Sequence, residues 1–365
     1  WVYCPTFNAC SEQTKHMAVT GSTTDLTVLP VDYKSNLGQF LAVPATVYEG
    51  DPNWIPPLKI QEKHRFTPSR PFFEHARWKG WVALRSGRPV GRITAQVDDL
   101  HLQRYGDATG YFGMLEAEDD PAVFKALFEV AENWLREQGV ARVRGPYNLS
   151  VNEEIGLLVD GFQHPPYILM GHGRPYYDAR VKDCGYSGAK DLLAYLVDTD
   201  FVVPAVMVKL VKRASRKVKV RNFRRADLEQ ESEVMRDIFN DAWQDNWGFV
   251  PFTKAEFLDS VKSLAALLPD DYIQIAEYEG EPAAFIVLLP NINEAISDLN
   301  GSLFPFGWLK ALWRLKVKAP NTGRVPLMGV RKQFQGTPSG PVMVFMIIDA
   351  VRAAAVAAGM QKTEM

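Results

Sequence analysis

Two segments of the chain alternate apolar and polar residues in the same arrangement. They are "GWVALRSGRPVGRITAQV" at residues 80–97 and "YIQIAEYEGEPAAFIVLLP" at residues 272–290. In each, two apolar-alternating runs flank a turn that contains glycine, which predicts a β-hairpin. The hairpins lie about 190 residues apart, so we interpret them as two copies of one structural unit rather than as a short-period repeat.

The elements that follow each hairpin also match. After the first hairpin we predict a strand at 110–117, a helix at 121–138 capped by Asp120, and a strand at 140–147. After the second we predict a strand at 325–330, the loop "RKQFQGTPSG" at 331–340, and a helix at 341–358. Helices are also predicted at 227–243 and 253–267, the latter with Thr253 and Glu256 as a capping box. The pattern therefore indicates a mixed α/β fold made of two similar halves.

Composition adds limits to this interpretation. A chain of 365 residues suits two domains, and 47% hydrophobic with 23% charged residues is ordinary for a globular protein. The net charge of -2 gives no reason to expect nucleic acid. Three cysteines without metal-ligand spacing predict no metal site. We find no apolar run of about 18 residues, so we expect no membrane-spanning helix.

These patterns suggest domain boundaries. We predict a disordered or non-native N-terminal segment at 1–24, a first domain at 25–205, and a second domain at 206–365 that is cut short at Met365. Between the halves lies a segment with nine cations and no acid: Lys209, Lys212, Arg213, Arg216, Lys217, Lys219, Arg221, Arg224 and Arg225.

The loop before the last helix has the composition of a phosphate site. The first amides of a helix lack internal partners, and small residues let a pyrophosphate approach the backbone. Residues Gln335 to Gly340 offer both features, with Arg331 and Lys332 nearby as cations. The loop is neither a Walker A motif nor a dinucleotide GxGxxG motif. A plain glycine-rich turn remains the alternative interpretation.

The order of elements resembles that of the GNAT acyltransferase superfamily, in which a Gln/Arg-x-x-Gly-x-Gly/Ala loop binds the pyrophosphate of acyl-CoA. Here Gln335 and Gly340 match that pattern, whereas Pro338 replaces the first motif glycine and removes a backbone donor. Residues 25–365 further resemble a group of bacterial tandem-GNAT proteins that includes ceramide-synthase-like acyltransferases. Stretches that carry this resemblance include "YEGDPNWIPPL", "GPYNLSVNEEIGLLVDGF" and "NGSLFPFGWLKALW". The resemblance implies two tandem GNAT-like domains.

The resemblance also implies acyl-CoA as co-substrate and places it in the second half. The implied contacts are Met328, Gly329, Val330, Arg331, Gln335, Gly336, Thr337 and Gly340. A backbone amide within 328–330 would polarise the thioester carbonyl, and no covalent enzyme intermediate would form. The matching place in the first half carries Glu116, Glu118, Asp119 and Asp120. Because acids repel phosphate, we expect CoA to bind the second half only.

Two polar stretches are candidates for the acceptor side. In "YNLSVNEE", Asn152, Glu153 and Glu154 are candidate catalytic residues, with Asn148 and Ser150 as acceptor-binding residues; a capped surface turn is the alternative. In "NDAWQDNWGF", Asp241 is the competing candidate base. Trp243, Asn246 and Trp247 are acceptor-binding candidates there, although both tryptophans could instead belong to the core.

Together these features predict an acyl-CoA-dependent N-acyltransferase, and the resemblance implies a long-chain sphingoid-type amine as acceptor. An aminoacyl-tRNA-dependent tandem-GNAT transferase and a non-catalytic acyl-CoA- or lipid-binding module are the alternatives. We expect a cytoplasmic protein. The basic amphipathic segment at 305–318 could add peripheral contact with the inner membrane, or it could be a solvated helix.

Overall fold

The computed structural model describes residues 2–3, 25–265 and 268–365. Most of the predicted segment 1–24 therefore lies outside the described residues. Within them the chain forms two compact units. Of the described residues, the first unit comprises 2–3, 25–166, 170–192 and 300–302, and the second comprises 167–169, 193–265, 268–299 and 303–365. The predicted division at 205/206 remains a prediction, and residues 193–205 make their contacts within the second unit.

The first unit contains these elements in chain order: β1 (Val2–Tyr3), β2 (Leu26–Val31), α1 (Leu37–Val47), α2 (Lys59–Arg65), β3 (Ala76–Arg85), β4 (Arg88–Asp98), α3 (Asp99–Tyr105), β5 (Thr109–Ala117), α4 (Pro121–Glu137), β6 (Arg142–Arg144), α5 (Tyr177–Asp183) and β7 (Gly188–Lys190). Its main sheet has the order β2-β3-β4-β5-β6, antiparallel except for the parallel pair β5-β6. The short strands β1 and β7 pair separately.

Helices α1 and α4 cover opposite faces of this sheet. Adjacent strand residues point to opposite faces. On β4, Arg92 lies over the ring of Phe40 from α1, whereas Gly91 lies under Val123 and Leu127 from α4. A Cβ atom at Gly91 would come within 2.7 Å of Val123, so glycine allows α4 to pack closely. The side chain of Asp120 caps α4 by accepting a hydrogen bond from the Ala122 amide (2.8 Å), which confirms the predicted cap.

The second unit contains β8 (Leu196–Asp198), α6 (Ala205–Ala214), β9 (Val218–Asn222), α7 (Leu228–Trp243), α8 (Lys254–Ala265), β10 (Ile273–Tyr278), β11 (Glu281–Pro290), α9 (Ile292–Ile296), α10 (Gly307–Trp313), β12 (Thr322–Val330), α11 (Ser339–Ala357) and β13 (Lys362–Glu364). The sheet order is β8-β13-β12-β11-β10-β9, in which only β12 and β13 are parallel. The capping box of α8 is present, because Thr253 and Glu256 exchange side-chain-to-amide hydrogen bonds.

Both units thus have the predicted order of hairpin, strand, helix and strand, which is the GNAT-like arrangement. The hairpins are β3-β4 and β10-β11. The main sheet of each unit contains one parallel strand pair, β5-β6 in the first unit and β12-β13 in the second. The predicted mixed α/β fold with two tandem GNAT-like units is confirmed.

The sequence-based observation that no apolar run reaches about 18 residues is wrong. Helix α11, at 19 residues, is long and apolar enough to cross a membrane by length and composition, although Asp349 and Arg352 lie within it. In the structure Met343, Ile347, Val351 and Ala355 are buried in the core of the second unit, and α11 packs on β10 and β11. This packing is that of a core helix.

Candidate functional site

Strand β12 has an edge that is only partly paired. β13 pairs with it in parallel at Thr322, Gly323 and Arg324 and then ends. β12 continues to Val330 with β11 alone beside it. Within the described part of the chain, no strand pairs with the outer edge of β12 beyond Arg324. The sheet therefore opens between its two parallel strands.

The backbone groups that face this opening follow from the register of the β11-β12 ladder. The Arg331 amide donates to the Ala283 carbonyl at 2.9 Å, and alternate residues of an antiparallel strand point to opposite edges. Met328 and Val330 therefore direct their N–H and C=O groups to the open side. Their carbonyls are engaged, because the Trp243 indole donates to Met328 O at 2.7 Å and the Gln335 amide donates to Val330 O at 2.9 Å. The N–H groups of Met328 and Val330 are therefore the backbone donors that remain on this edge within the described residues.

Helix α7 can approach this edge because residue 329 is glycine. A Cβ atom at Gly329 would lie 3.3 Å from the Ala242 side chain and 3.5 Å from that of Ile238. This close approach brings the C-terminal residue of α7, Trp243, to the edge of β12. The predicted residues Met328, Gly329, Val330 and Trp243 therefore lie together.

The loop between β12 and α11 makes a tight turn. Gly336 has a φ of 77°, which favours glycine, and a Cβ atom at Gly340 would lie 2.4 Å from the Phe334 carbonyl oxygen. Helix α11 begins at Ser339 without a side-chain cap. Among the described residues, the N–H groups of Gly336 and Ser339 have no hydrogen-bond partner. Such groups at a helix start can bind an anion.

Other groups of the loop hold its shape. The amides of Thr337 and Gly340 donate to the carbonyls of Phe334 and Thr337 at 3.1 and 3.2 Å. The Thr337 hydroxyl also donates to the Phe334 carbonyl, at 2.8 Å. The Arg331 side chain donates through Nε to the Pro282 carbonyl at 2.9 Å. These contacts hold the turn in its observed conformation.

The candidate base Asp241 contacts the same loop. Its Oδ2 accepts a hydrogen bond from the Lys332 amide at 2.6 Å, and the Lys332 ammonium donates to Asp245 at 2.5 Å. Asp241 thus orders the turn that follows β12. Asn246 and Trp247 lie in the next turn, where the Asn246 amide donates to the Trp243 carbonyl at 2.9 Å and Trp247 is 40% exposed. Trp247 is therefore not a core residue.

No family model matches the chain. It is 50% identical to protein YghO of Escherichia coli (strain K12) over 320 residues, covering 87% of this chain and 82% of YghO. It is 46% identical to the bacterial ceramide synthase of Caulobacter vibrioides over 344 residues, covering 93% of this chain and 90% of that protein. The chain belongs to the bacterial ceramide-synthase-like family of tandem GNAT-type acyltransferases.

Solved structures of low sequence identity include a tandem GNAT protein from the clavulanic acid biosynthesis pathway. It is 12% identical, with a TM-score of 0.49, and the match covers 93% of this chain and 89% of that one. Another is a probable N-acyltransferase from Enterococcus faecalis V583, 11% identical with a TM-score of 0.45, for which the match covers 93% of this chain and 65% of that one.

In this ceramide-synthase-like protein the first unit differs at the place that corresponds to the open edge. β6 pairs with β5 only from Thr109 to Tyr111, but the chain itself then fills the gap. The Tyr147 amide donates to the Phe112 carbonyl at 2.7 Å, and the Asn148 side chain accepts from the Met114 amide at 2.8 Å. A Cβ atom at Gly113 would lie 1.7 Å from the Tyr147 carbonyl oxygen. The edge of β5 is therefore occupied by residues 147–148.

The predicted acceptor loop of the first unit is held by two arginines that the sequence did not suggest. Arg65 bonds to Glu153 at 3.0 Å and to Glu154 at 3.4 Å, and Arg70 bonds to the other oxygen of Glu153 at 3.0 Å. Asn148 donates to Glu154 at 2.9 Å. Both candidate glutamates are thus engaged in ion pairs.

The other two predicted residues of this loop form its turn. The Asn152 amide donates to the Ser150 hydroxyl at 3.1 Å, and the Glu153 amide donates to the Ser150 carbonyl at 3.1 Å. These contacts correspond to the capped turn that was the alternative interpretation. The structure places Ser150 and Asn152 beside the glutamates without assigning them a chemical role.

A second polar cluster in the first unit surrounds Glu116. Its Oε2 accepts hydrogen bonds from the hydroxyls of Tyr48 (2.7 Å) and Tyr177 (2.5 Å), and Arg92 lies 3.9 Å from Oε1. Burial raises the pKa of Glu116 and outweighs the opposing effect of Arg92. Arg92 is the first of four buried polar residues along one face of β4, followed by Thr94, Gln96 and Asp98.

Metal ligation has no candidate here. Within residues 25–265 and 268–365, no group of three or more His, Cys, Asp or Glu side chains is arranged to hold an ion.

Proposed function

We propose that this chain is an acyl-CoA-dependent N-acyltransferase that uses its second unit to bind the acyl donor. The observation that carries the proposal is the open edge of β12, with the N–H groups of Met328 and Val330 directed into it. The pantetheine arm of acyl-CoA has amide groups of its own, so it can extend along a strand edge as an added strand would.

The loop that follows β12 would hold the pyrophosphate. The N–H groups of Gly336 and Ser339 lie at the start of α11, where the helix dipole adds positive potential. Pro338 and Pro341 have no N–H group, so fewer backbone donors are present than in a glycine-rich loop. The Lys332 ammonium, which is half exposed and paired with Asp245, is a cation of this loop that could turn to a phosphate.

The reaction is an aminolysis of a thioester. The neutral amine of the acceptor attacks the carbonyl carbon, a C–N bond forms, and the C–S bond breaks so that CoA leaves as the thiolate. The nitrogen loses one proton as the amide forms, and this proton converts the thiolate to the free CoA thiol. A backbone N–H of Met328 or Val330 would donate to the carbonyl oxygen as negative charge develops on it. The acceptor ammonium must first lose a proton to a carboxylate.

Glu153, Glu154 and Asp241 remain the proposed bases. Each already has a partner in this structure: Arg65 and Arg70 for the glutamates and the Lys332 amide for Asp241. A base among the glutamates would exchange its bond with an arginine for one with the ammonium of the acceptor. If Asp241 is the base, it gives up its hydrogen bond to the Lys332 amide when it binds the proton. Proton transfer would then change the conformation of the turn after β12.

The acceptor is proposed to be a long-chain, sphingoid-type amine and the donor a long-chain acyl-CoA. This part rests on the 46% identity to a protein named bacterial ceramide synthase. Asn148, Ser150, Trp243, Asn246 and Trp247 stay as proposed acceptor contacts. The proposal includes peripheral contact with a membrane, because a long-chain amine partitions into lipid.

The aminoacyl-tRNA alternative depends on the cationic segment at residues 209–225, which lies in the second unit. Four of its nine cations are paired with carboxylates: Lys217 with Glu279, Arg221 with Glu231 and Glu277, Arg224 with Glu231, and Arg225 with Asp270. These pairs reduce the positive field that a tRNA would meet, so the structure favours the acyl-CoA donor.

A backbone substitution tests the proposed role of the β12 edge. Val330→Pro removes the N–H on the open side, where proline is compatible with a strand edge, whereas Val330→Ala keeps it. We expect Val330→Pro to lower kcat/KM for acyl-CoA by about 10²–10³, as for loss of an oxyanion donor, and Val330→Ala to stay within about threefold. Equal activities of the two variants would remove this edge from the mechanism.

A further inference from the structure

The segment that begins after α9 exposes an unusual number of large apolar side chains. Seven of them are between 46% and 76% exposed: Phe304, Phe306, Trp308, Leu309, Leu312, Trp313 and Val317. We call these seven residues the α10 patch. Single exposed apolar residues are ordinary, but a contiguous group of this kind marks a binding surface.

The α10 patch is held outward by contacts on the opposite side of the helix. Ala311 is buried, and Arg314 donates to the Ala295 carbonyl at 2.9 Å and to Asp298 at 2.6 and 3.1 Å. Lys310 also donates to Asp298. Trp308, Leu309, Leu312 and Trp313 recur at the spacing of one helix face, so the helix directs its apolar face away from the contacts that anchor it.

The charges beside the patch are positive. Residues 303–318 include Lys310, Arg314, Lys316 and Lys318 and no acidic residue. Lys310 and Arg314 pair with Asp298 on the side of the helix opposite the patch, and Lys316 and Lys318 follow at the end of the segment. Glu294 accepts hydrogen bonds from the amides of Asn321 and Thr322. A surface with this charge is complementary to an anionic one.

We propose that the α10 patch binds the surface of a lipid bilayer that contains anionic lipids. Tryptophan and phenylalanine side chains are favoured at the boundary between headgroups and acyl chains, and nearby lysines attract anionic headgroups. Trp308 and Trp313 enter the boundary region, and Lys316 and Lys318 lie among the headgroups. The helix lies on the membrane and does not cross it, because α10 has only seven residues.

Membrane binding through the α10 patch does not depend on the enzymatic activity. A chain with no turnover would bind vesicles through the same residues, and an active enzyme could fail to bind them. The vesicle experiment and the activity assay therefore fail independently of each other.

Flotation of the full chain with vesicles tests the proposal. Two vesicle preparations are compared, phosphatidylcholine alone and phosphatidylcholine with phosphatidylglycerol. We expect binding to the anionic vesicles only, a shift of tryptophan fluorescence to shorter wavelength on binding, and weaker binding at high salt. Binding of equal strength to both preparations, or to neither, would overturn the proposal.

Two double variants separate the apolar and the charged contributions. Trp308→Ser with Trp313→Ser should weaken binding at least about tenfold, because two interfacial aromatic anchors are lost. Lys316→Glu with Lys318→Glu should weaken it by a similar factor, since each cation near an anionic surface contributes about 1 kcal/mol, or about fivefold. Val356→Ser is the matched control: it removes a large exposed apolar residue of α11 and should bind vesicles like the unaltered chain.

A second copy of this chain is the competing occupant of the patch. Analytical sedimentation of the protein without vesicles distinguishes self-association from membrane binding. A dimer that Trp308→Ser with Trp313→Ser converts to monomer would overturn the membrane assignment in favour of self-association. Since the substituted side chains are exposed, unchanged thermal unfolding of each variant is expected, and it shows that lost binding is not lost folding.

Discussion

The glycine at position 336 offers a sensitive test of where CoA binds. Gly336 has a φ of 77°, and a Cβ atom there would meet no other atom within 4 Å. Asparagine and aspartate are the side chains that best tolerate this backbone conformation. Gly336→Asn and Gly336→Asp should therefore have similar backbone strain and similar shape, and they differ in one negative charge.

The size of the charge effect follows from Coulomb's law. A carboxylate about 5 Å from one phosphate charge is disfavoured by about 0.8 kcal/mol at the dielectric constant of water and by about 3 kcal/mol at an effective value of 20. We therefore expect Gly336→Asp to bind CoA about 4- to 150-fold more weakly than Gly336→Asn. The difference should shrink as salt is added, because the loop is exposed to solvent.

Isothermal titration calorimetry with CoA measures both variants, and thermal unfolding checks that both are folded. CoA is the suitable ligand because it contains the pyrophosphate but no acyl group, so effects on acyl binding do not enter. Equal affinities of the two variants would refute the assignment of this loop to the pyrophosphate, even if both bind more weakly than the unaltered chain.

Three further predictions concern charged groups. Replacing Glu118 and Asp119 with alanine should lower the free energy of unfolding by no more than about 2 kcal/mol, since exposed ion pairs contribute little, and calorimetry should show unchanged CoA affinity. Glu154→Gln should reduce turnover by about 10²–10⁴ if Glu154 is the base, and less at high pH, where the acceptor amine is already neutral; a pH profile of activity measures this. Burial alone would raise the pKa of Glu231, but hydrogen bonds from Arg221 and Arg224 hold this pKa below its usual value. The ionised Glu231 carboxylate therefore stabilises the fold above pH 4.5, and this stabilisation is lost as the pH falls through the lowered pKa. Glu231→Gln should therefore lower the free energy of unfolding by about 3–5 kcal/mol at pH 7 and by less at low pH, as urea titrations at both pH values would show.

The local elements of the fold were predictable because they depend on short-range patterns. The hairpins β3-β4 and β10-β11 appear where alternation and glycine turns placed them. The start of α4 follows from Asp120, whose carboxylate binds the amide two residues later. In each case the physical cause lies within a few neighbouring residues.

The contacts that shape the site were not predictable in this way. Arg65 lies on a short polar helix that has the composition of a solvated surface, and it meets Glu153 across 88 residues of chain. Tyr147 fills the edge of β5 only because the sheet brings Phe112 beside it. No local pattern encodes such pairings.

The buried polar residues of β4 were visible as a pattern in the sequence. In "RITAQVD", Arg92, Thr94, Gln96 and Asp98 recur at every second position, as the polar face of a strand would. That alternation usually indicates a solvated face. Here the same face is covered by α1, as the contact of Arg92 with Phe40 shows, so the polar residues are buried.

The most direct test of the account is to incubate the full chain with a long-chain acyl-CoA, with and without a sphingoid amine, and to measure free CoA thiol together with amide product by mass spectrometry. We expect thiol release that depends on the amine and equals the amide formed, with both reduced to the same extent in Gly336→Asp. Thiol release at the same rate without an amine, or binding of acyl-CoA with neither thiol nor amide produced, would contradict the account.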